Sequence, residues 1–581
     1  KFFLTESLLS FFIFMFILKY IYRMKGLRFK HWFTGASIVV VSFVLIAATP
    51  VNSFFEVTKQ LDIFTTLYRE LNTYYVDTLN PEKLIQSGIY EMCNSLDPYT
   101  DYIPEDNIQE YRQQTTGRYG GIGSLIGTRN EFVIITDPYE GFPAAKSGLH
   151  PGDKILEIDG KSMRKTNSDD VSKHLRGKAG TSVNLKIARL QSDGSEKEMP
   201  ITLVREEIKI KNVPYSGMLD ENIGYIRLNG FTERAGTEVR NALITLISKN
   251  KAKGIVFDLR GNPGGLLNEA INVASCFIDK GTPIVSTKGK IVDQNKEYIT
   301  LNDPVDTKIP MVILADGGSA SAAEIVTGSM QDLDRAVVVG QRTFGKGLVQ
   351  STHSLPYNAK LKITTAKYYI PSGRCIQAIN YADKKEDGSV QKKADSLKVA
   401  FKTKGGRIVY DGVGIDPDVK TDEEKISQIA IALYVQSVFF DYAQKYRTSH
   451  EAIPFAKNFS LTDAEYADFV KYVSDKKDFK YSTTSEKLLE ELKTTAEKEK
   501  TFDAFKSDYE QMKQKLEHDK KQDLMKEKKV LKEMLEQEIA SHYYLNSGRI
   551  EATIKTDPEV LKSIELLKDK SKLQDLLQVK K

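Results

Sequence analysis

Three short, almost unbroken apolar runs constrain this chain more than any other feature: Gly254-Ile255-Val256-Phe257-Asp258-Leu259, Met311-Val312-Ile313-Leu314-Ala315 and Ala336-Val337-Val338-Val339. A strand that is apolar on both faces must be covered on both, which is the condition of a parallel sheet flanked by helices. The intervening sequence fits. Residues 223–228 read as a further strand, and 233–248, 266–278 and 322–330 as helices. Residues 206–420 are therefore expected to form an α/β core.

A chain of 581 residues exceeds what one core can bury, and about three to four domains follow. Within 53–112, Phe54, Val57, Leu61, Phe64, Tyr68 and Leu71 recur at three- and four-residue steps, a helical stripe. It ends in the turn signal Leu96-Asp97-Pro98-Tyr99-Thr100. Residues 113–205 change period to clustered glycines, short strands and two small helices, which predicts a separate compact unit. Residues 421–581 are rich in Lys, Glu, Leu and Ala. There Phe502, Phe505, Tyr509, Met512 and Leu516 trace a heptad seam that lapses at Asp519 and Asp523. An antiparallel helical hairpin packed on the body is expected rather than a long coiled coil. The fold class is α/β and multidomain, with helical segments at both ends.

The net charge of +5 is concentrated at one end, because residues 1–31 hold six Lys and Arg against Glu6 alone. The remainder is close to neutral, which leaves a nucleic-acid partner without electrostatic support. Apolar runs at 8–18 and 36–48 flank the basic stretch Lys25-Gly26-Leu27-Arg28-Phe29-Lys30. Each is shorter than the ~20 residues of a spanning helix. Residues 1–50, with a true start at Met24, are expected to be an export signal or short anchor rather than a two-helix membrane hairpin. The rest of the protein would then stand on the periplasmic side of the cell envelope, touching membrane only through that segment. Cys93, Cys276 and Cys375 are too few and too scattered for a disulfide framework, and no Cys/His group has metal-ligand spacing. No metal or other cofactor is expected.

Three glycine-rich segments carry the candidate chemistry. Asp316-Gly317-Gly318-Ser319-Ala320-Ser321-Ala322-Ala323-Glu324 joins an apolar strand to a helix, where small residues admit a substrate backbone and first-turn N–H groups can hold an anion. Taken alone, a serine there is better explained by helix capping. In Thr343-Phe344-Gly345-Lys346-Gly347-Leu348-Val349-Gln350, a lysine between glycines in apolar sequence can be partly desolvated. Burial favours the neutral amine, which can take a serine proton without any histidine. Asp258-Leu259-Arg260-Gly261-Asn262-Pro263-Gly264-Gly265 lies at the C-terminal end of a buried strand, where open α/β sheets bind ligands. Its glycines leave N–H groups free for half of an oxyanion hole. A Ser-His-Asp arrangement through His353 lacks the Gly-x-Ser-x-Gly turn, and His353 reads as a strand residue.

These segments in this order, with Leu96-Asp97-Pro98-Tyr99-Thr100, Pro371-Ser372-Gly373-Arg374 and Gly414-Ile415-Asp416-Pro417-Asp418, resemble the C-terminal processing, or tail-specific, peptidases of family S41. The likeness spans roughly residues 55–420. It implies a serine endopeptidase with Ser321 as nucleophile rather than Ser319, Lys346 as general base and Gln350 orienting that lysine. It further implies oxyanion donors in the N–H groups of Ala322 and Gly265. Ala323 departs from the family, many members having serine there, at a position without a catalytic part.

Residues 113–205 resemble a PDZ domain, with Tyr119-Gly120-Gly121-Ile122-Gly123 matching the loop that holds a C-terminal carboxylate. Ile122 and Leu125 imply protein substrates with accessible, apolar C-termini, and Arg176 is a candidate substrate-sensing contact. The helical segments are candidates for homo-oligomer or adaptor contacts. The competing class is a PDZ scaffold whose core has lost activity. Intact Ser321, Lys346 and Gln350 argue against it.

Overall fold

The computed structural model describes residues 51–381, 390–392, 394–422, 426–516 and 520–578, so the expected export segment at 1–50 lies outside the described residues. The chain divides into two compact units, 1–92 and 93–581. In the first, the apolar stripe forms the helix Val51–Tyr74, and a second helix starts at Pro81. The Tyr68 hydroxyl donates to the Pro81 carbonyl at 3.0 Å. Two helices cannot cover one another completely, and Phe55, Leu61, Ile63 and Leu67 remain exposed. Among the described residues no helix is long and apolar enough to cross a membrane.

In the second unit the predicted apolar strands form the middle of a six-stranded sheet. Its order is Tyr215–Met218, Ile223–Arg227, Gly254–Asp258, Met311–Ala315, Val337–Gly340, Val419–Lys420. Only the first pair is antiparallel. The register sets Asp258 beside Leu314 and Ala315 beside Gly340, so the loops after these strands emerge together at one edge. Alternate side chains serve opposite faces. Ile255, Phe257, Met311 and Ile313 pack against the helices Ala235–Ile244, Leu267–Ala274 and Ala322–Asp332. Tyr225, Val256, Val312, Leu314, Val337 and Val339 meet Val560, Leu566, Leu567 and Leu573, from the helices Pro558–Lys568 and Lys570–Leu577.

That second face corrects the expected hairpin. The C-terminal residues fold as a helical array with its own core around Leu433, Phe439, Phe469 and Leu535, and the last helices complete the central sheet. The heptad seam is real only in part. Phe502 meets both Phe505 and Tyr509 edge to face beside the helix Thr484–Lys498, while Met512 is exposed. Packing within a short helix pair satisfies the seam, so no partner coil is required.

The compact unit after residue 113 is a five-strand path, Ser124–Arg129, Phe132–Pro138, Lys154–Ile158, Ser182–Leu190 and Glu196–Val204, with helices Pro143–Lys146 and Ser168–Leu175. A further sheet carries Lys360–Tyr369 at its centre, paired with Leu348–Ser354, Pro283–Gly289 and Asp101–Ile103. The expected helical region at 53–112 thus also contributes a strand. Tyr102 and Ile103 lie opposite Leu361 and Lys360 because an edge there was open to pairing.

Candidate active site

The sheet edge at Asp258, Ala315 and Gly340 gathers the three glycine-rich segments, and they are stitched together by hydrogen bonds. Asp316 Oδ1 accepts from Gly261 N at 2.8 Å and from Gly318 N at 3.0 Å. Ser319 is fully buried and its hydroxyl donates to the Leu259 carbonyl at 2.8 Å. Ala320 N donates to the Asn262 carbonyl at 2.9 Å, and Phe344 N to the Ser319 carbonyl at 3.1 Å. Of the two serines, Ser319 is therefore committed to holding the turn, whereas Ser321 lines an open cleft of about 450 Å³.

Ser321 sits at φ 55°, ψ −116°, immediately before the helix Ala322–Asp332. A non-glycine residue held in that region costs about 1–3 kcal/mol, which the surrounding bonds must offset. Glu324, one turn on, supplies most of them. Its buried carboxylate accepts from Ser321 N (2.8 Å), Lys346 N (2.9 Å), Gly345 N (2.8 Å) and the Thr343 hydroxyl (2.5 Å). Burial pushes this carboxyl up to about 7, against four hydrogen bonds that favour the anion. One side chain thus fixes both the serine turn and the lysine loop. The Tyr368 hydroxyl adds a second tie, 2.5 Å from the Lys346 carbonyl and 3.2 Å from that of Ser321.

Lys346, Gln350, Gly265 and Ala322 line the same cleft as Ser321. The Lys346 ammonium lies 4.0 Å from the centroid of the Tyr99 ring. Tyr99 is placed there by Asp97, which accepts from Tyr99 N and Thr100 N at 2.8 Å each, so the sequence's turn signal is a platform for the lysine. Burial, and then repulsion from Lys362, push the amine down to about 8. Among the described residues no hydrogen bond joins Ser321 Oγ to Lys346 Nζ. Gln350 stands two steps into the strand Leu348–Ser354 and donates to Thr364 Oγ1 at 3.1 Å rather than to the lysine. His353 is an exposed strand residue that does not line the cleft.

The N–H groups of Ala322 and Gly265 have no protein acceptor among the described residues, and both residues line the cleft. Gly264 allows this closeness. A Cβ there would stand 2.6 Å from the Ala320 carbonyl oxygen and 2.8 Å from Ala322 N. The helix Ile108–Thr116 roofs the cleft, its Tyr111 hydroxyl 2.6 Å from Thr352 Oγ1, and Gly117 leads directly from it into the loop 119–123.

In that loop, Tyr119 lies under the Arg176 guanidinium at 5.3 Å and the Gly120 carbonyl accepts from Gly177 N at 3.1 Å. Gly121 pairs with Glu206, and Gly123 takes φ 73°. Ile122 is buried in the core of its domain, so of the two apolar residues singled out by sequence only Leu125 is exposed. Sequence reasoning passed over Glu324, Tyr99, Tyr368 and Lys362. Glu324 and Tyr99 lie in motifs already marked, Tyr368 stands just before one and Lys362 is in none, and the contacts are between distant segments.

Comparison with known proteins follows this division of the chain. Residues 222–383 match peptidase family S41, residues 134–189 a PDZ domain, and residues 429–567 the family described as "Probable PDZ-protease, C-terminal helical domain". A carboxy-terminal-processing protease of Bartonella bacilliformis is 39% identical over 351 residues, covering 60% of this chain and 78% of that protein. A protein of Staphylococcus aureus described as "Probable CtpA-like serine protease" is 32% identical over 435 residues, covering 72% and 84%. The solved photosystem II D1 C-terminal processing protease shares 25% identity over 62% of this chain and 92% of its own, with a TM-score of 0.34.

Proposed function

The chain belongs to peptidase family S41, as a serine peptidase with a PDZ domain, and on that premise we propose that Ser321 is its nucleophile and Lys346 its general base. The observation that carries this reading is the shared cleft, in which a half-buried lysine amine with a lowered pKa stands with a strained serine and two unpartnered N–H groups. As Ser321 Oγ attacks a scissile carbonyl, the neutral Lys346 amine takes its proton. The carbonyl oxygen gains charge opposite the N–H groups of Ala322 and Gly265, each such donor being worth roughly 2.7–4 kcal/mol. The lysine ammonium then protonates the departing amine, and water repeats the sequence to release the acyl group. For this the Lys346 side chain leaves the Tyr99 face and turns to Ser321. Gln350, one strand step from Val349 at the cleft wall, is the group that can receive it there.

The PDZ domain is assigned the reading of substrate C-termini, through loop 119–123. The helix from that loop to the cleft roof supports the assignment, since a chain held at the loop is delivered close to Ser321. The exposed Leu125 supports a preference for apolar tails. The test compares an unfolded protein ending in apolar residues with the same protein amidated at its C-terminus. Amidation should raise KM about tenfold or more with little change in kcat, since the carboxylate contributes to binding and not to chemistry. Equal KM values would remove tail recognition from the account.

Two further assignments concern the N-terminal end. The apolar runs before residue 50 support an envelope location on the periplasmic side, and the exposed Phe55, Leu61 and Leu67 support self-association or adaptor binding through the helix Val51–Tyr74. Fractionating cells and sizing the recovered protein examines both. The protein should appear in the envelope fraction, and Leu61→Asp with Leu67→Asp should reduce its size. A cytoplasmic, monomeric wild type would refute both.

A further inference from the structure

We infer that Asp557 and Glu559, from the C-terminal helical array, are positioning residues for the peptidase centre. The inference rests on the reading of the Ser321 cleft given above. Asp557 caps the helix Pro558–Lys568, accepting from Glu559 N at 2.9 Å and Val560 N at 3.0 Å. Its other oxygen and Glu559 Oε2 each lie 2.7 Å from Nη1 of Arg260. The rest of that guanidinium is engaged by Asp258, which Nη2 meets at 2.7 Å and Nε at 3.0 Å. Asp258 is fully buried, and also takes Arg227 at 2.8 Å and the Tyr225 hydroxyl at 2.7 Å. Arg260 is thereby fixed from both ends, by the strand it follows and by a helix from the far end of the chain.

Arg260 opens the loop that ends in Gly264 and Gly265, against the serine turn. Arg227 Nη2 donates to the Arg260 carbonyl at 2.8 Å, and Gly261 N is held by Asp316. The path of this loop therefore decides where the Gly265 N–H points. Glu559 has a second hold. Its Oε1 accepts from the Thr421 hydroxyl at 2.6 Å and from Gln341 Nε2 at 3.4 Å. Gln341 starts the segment in which Thr343, Gly345 and Lys346 donate to Glu324. One carboxylate thus braces the oxyanion loop and the lysine loop together, on the side of the sheet edge away from the cleft. None of these groups lines the cleft itself, so they act through other residues rather than on substrate.

The experiment uses the full chain with Glu559→Gln, Asp557→Asn and the pair, each with and without Arg260→Gln. Expected is a fall in kcat of about tenfold for the pair, with KM within twofold and thermal unfolding little altered. Amide exchange should quicken in 259–266 and 341–347 and not elsewhere in the sheet. Adding Arg260→Gln should cost little more, because the three residues work as one unit. Should the pair unfold the protein, the single Glu559→Gln variant decides by the same readings. Unchanged kcat and exchange, or a loss confined to thermal stability, overturns the inference. Amide exchange does not depend on catalysis. Quickened exchange in an enzyme whose cleavage survives Ser321→Ala would therefore keep the brace and reject the Ser321 reading instead.

Discussion

Replacing Ser321 with alanine should lower kcat by on the order of 10⁴–10⁶ while leaving substrate binding and folding intact. The change removes one hydroxyl from the cleft, and with it one half of the capping box with Glu324, but keeps the bond from the Ser321 backbone N–H to the Glu324 carboxylate. Lys346→Ala should be similarly inactive, and Lys346→Arg should not restore activity, because a guanidinium does not deprotonate near neutral pH. The wild type should show the pH dependence of a lysine base. With the amine pushed down to about 8, kcat/KM should rise about tenfold per pH unit below that value and level off above it. At pH 7 such a lysine is deprotonated about 300-fold more often than one at its ordinary pKa. Lys362→Met removes a repelling charge and should shift the profile to higher pH. A profile flat from pH 6 to 9, or cleavage that survives Ser321→Ala, would falsify the dyad.

The second large effect is expected at Glu324. Alanine there leaves four buried or half-buried donors without an acceptor, a loss of about 3 kcal/mol or more. Glutamine keeps the volume but turns an amide toward two N–H or O–H donors that cannot both find an acceptor. Either change frees the serine turn and the lysine loop at once, and displacements of about 1 Å at a reacting centre cost on the order of 10² in rate. Both variants should show reduced thermal stability together with a fall in kcat larger than any rise in KM. A Glu324→Gln enzyme with wild-type kcat would show that the carboxylate does not organise the centre. The defect should be milder at Thr343→Val, which withdraws one of the four donors and leaves the Ile415 N–H without its hydroxyl acceptor.

Reading the chain in one dimension recovered what depends on local pattern. The doubly apolar strands could only be interior strands, and their loops had to meet at one sheet edge, so Ser321, Lys346, Gly265 and Ala322 fall in one cleft. What escaped depends on distant contacts. Glu324 looked like an ordinary first-turn acidic residue, and only the fold brings Thr343, Gly345 and Lys346 to its oxygens. Tyr99 looked like part of a turn, and its ring becomes a platform only once Lys346 arrives. The partners of Gln350 depend on which strand lies beside it, and that is Lys360–Tyr369, through Thr364. The terminal helices were the largest surprise. Val560, Leu566, Leu567 and Leu573 are thinly spread among charged residues, so an extension packed on the body could be expected, but not that it covers the second face of the sheet.

That covering carries a consequence for how the enzyme comes into being. The strands that lead to Ser321, Lys346 and Gly265 are made long before the helices that seal their second face. While the chain emerges from the ribosome, Val256, Val312, Leu314 and Val339 lack the helices that later cover them. The sheet reaches its final packing only when the last helices fold back on it. A protease assembled in this order keeps one face of its central sheet unfinished until the helices Pro558–Lys568 and Lys570–Leu577 have been made and have docked on it.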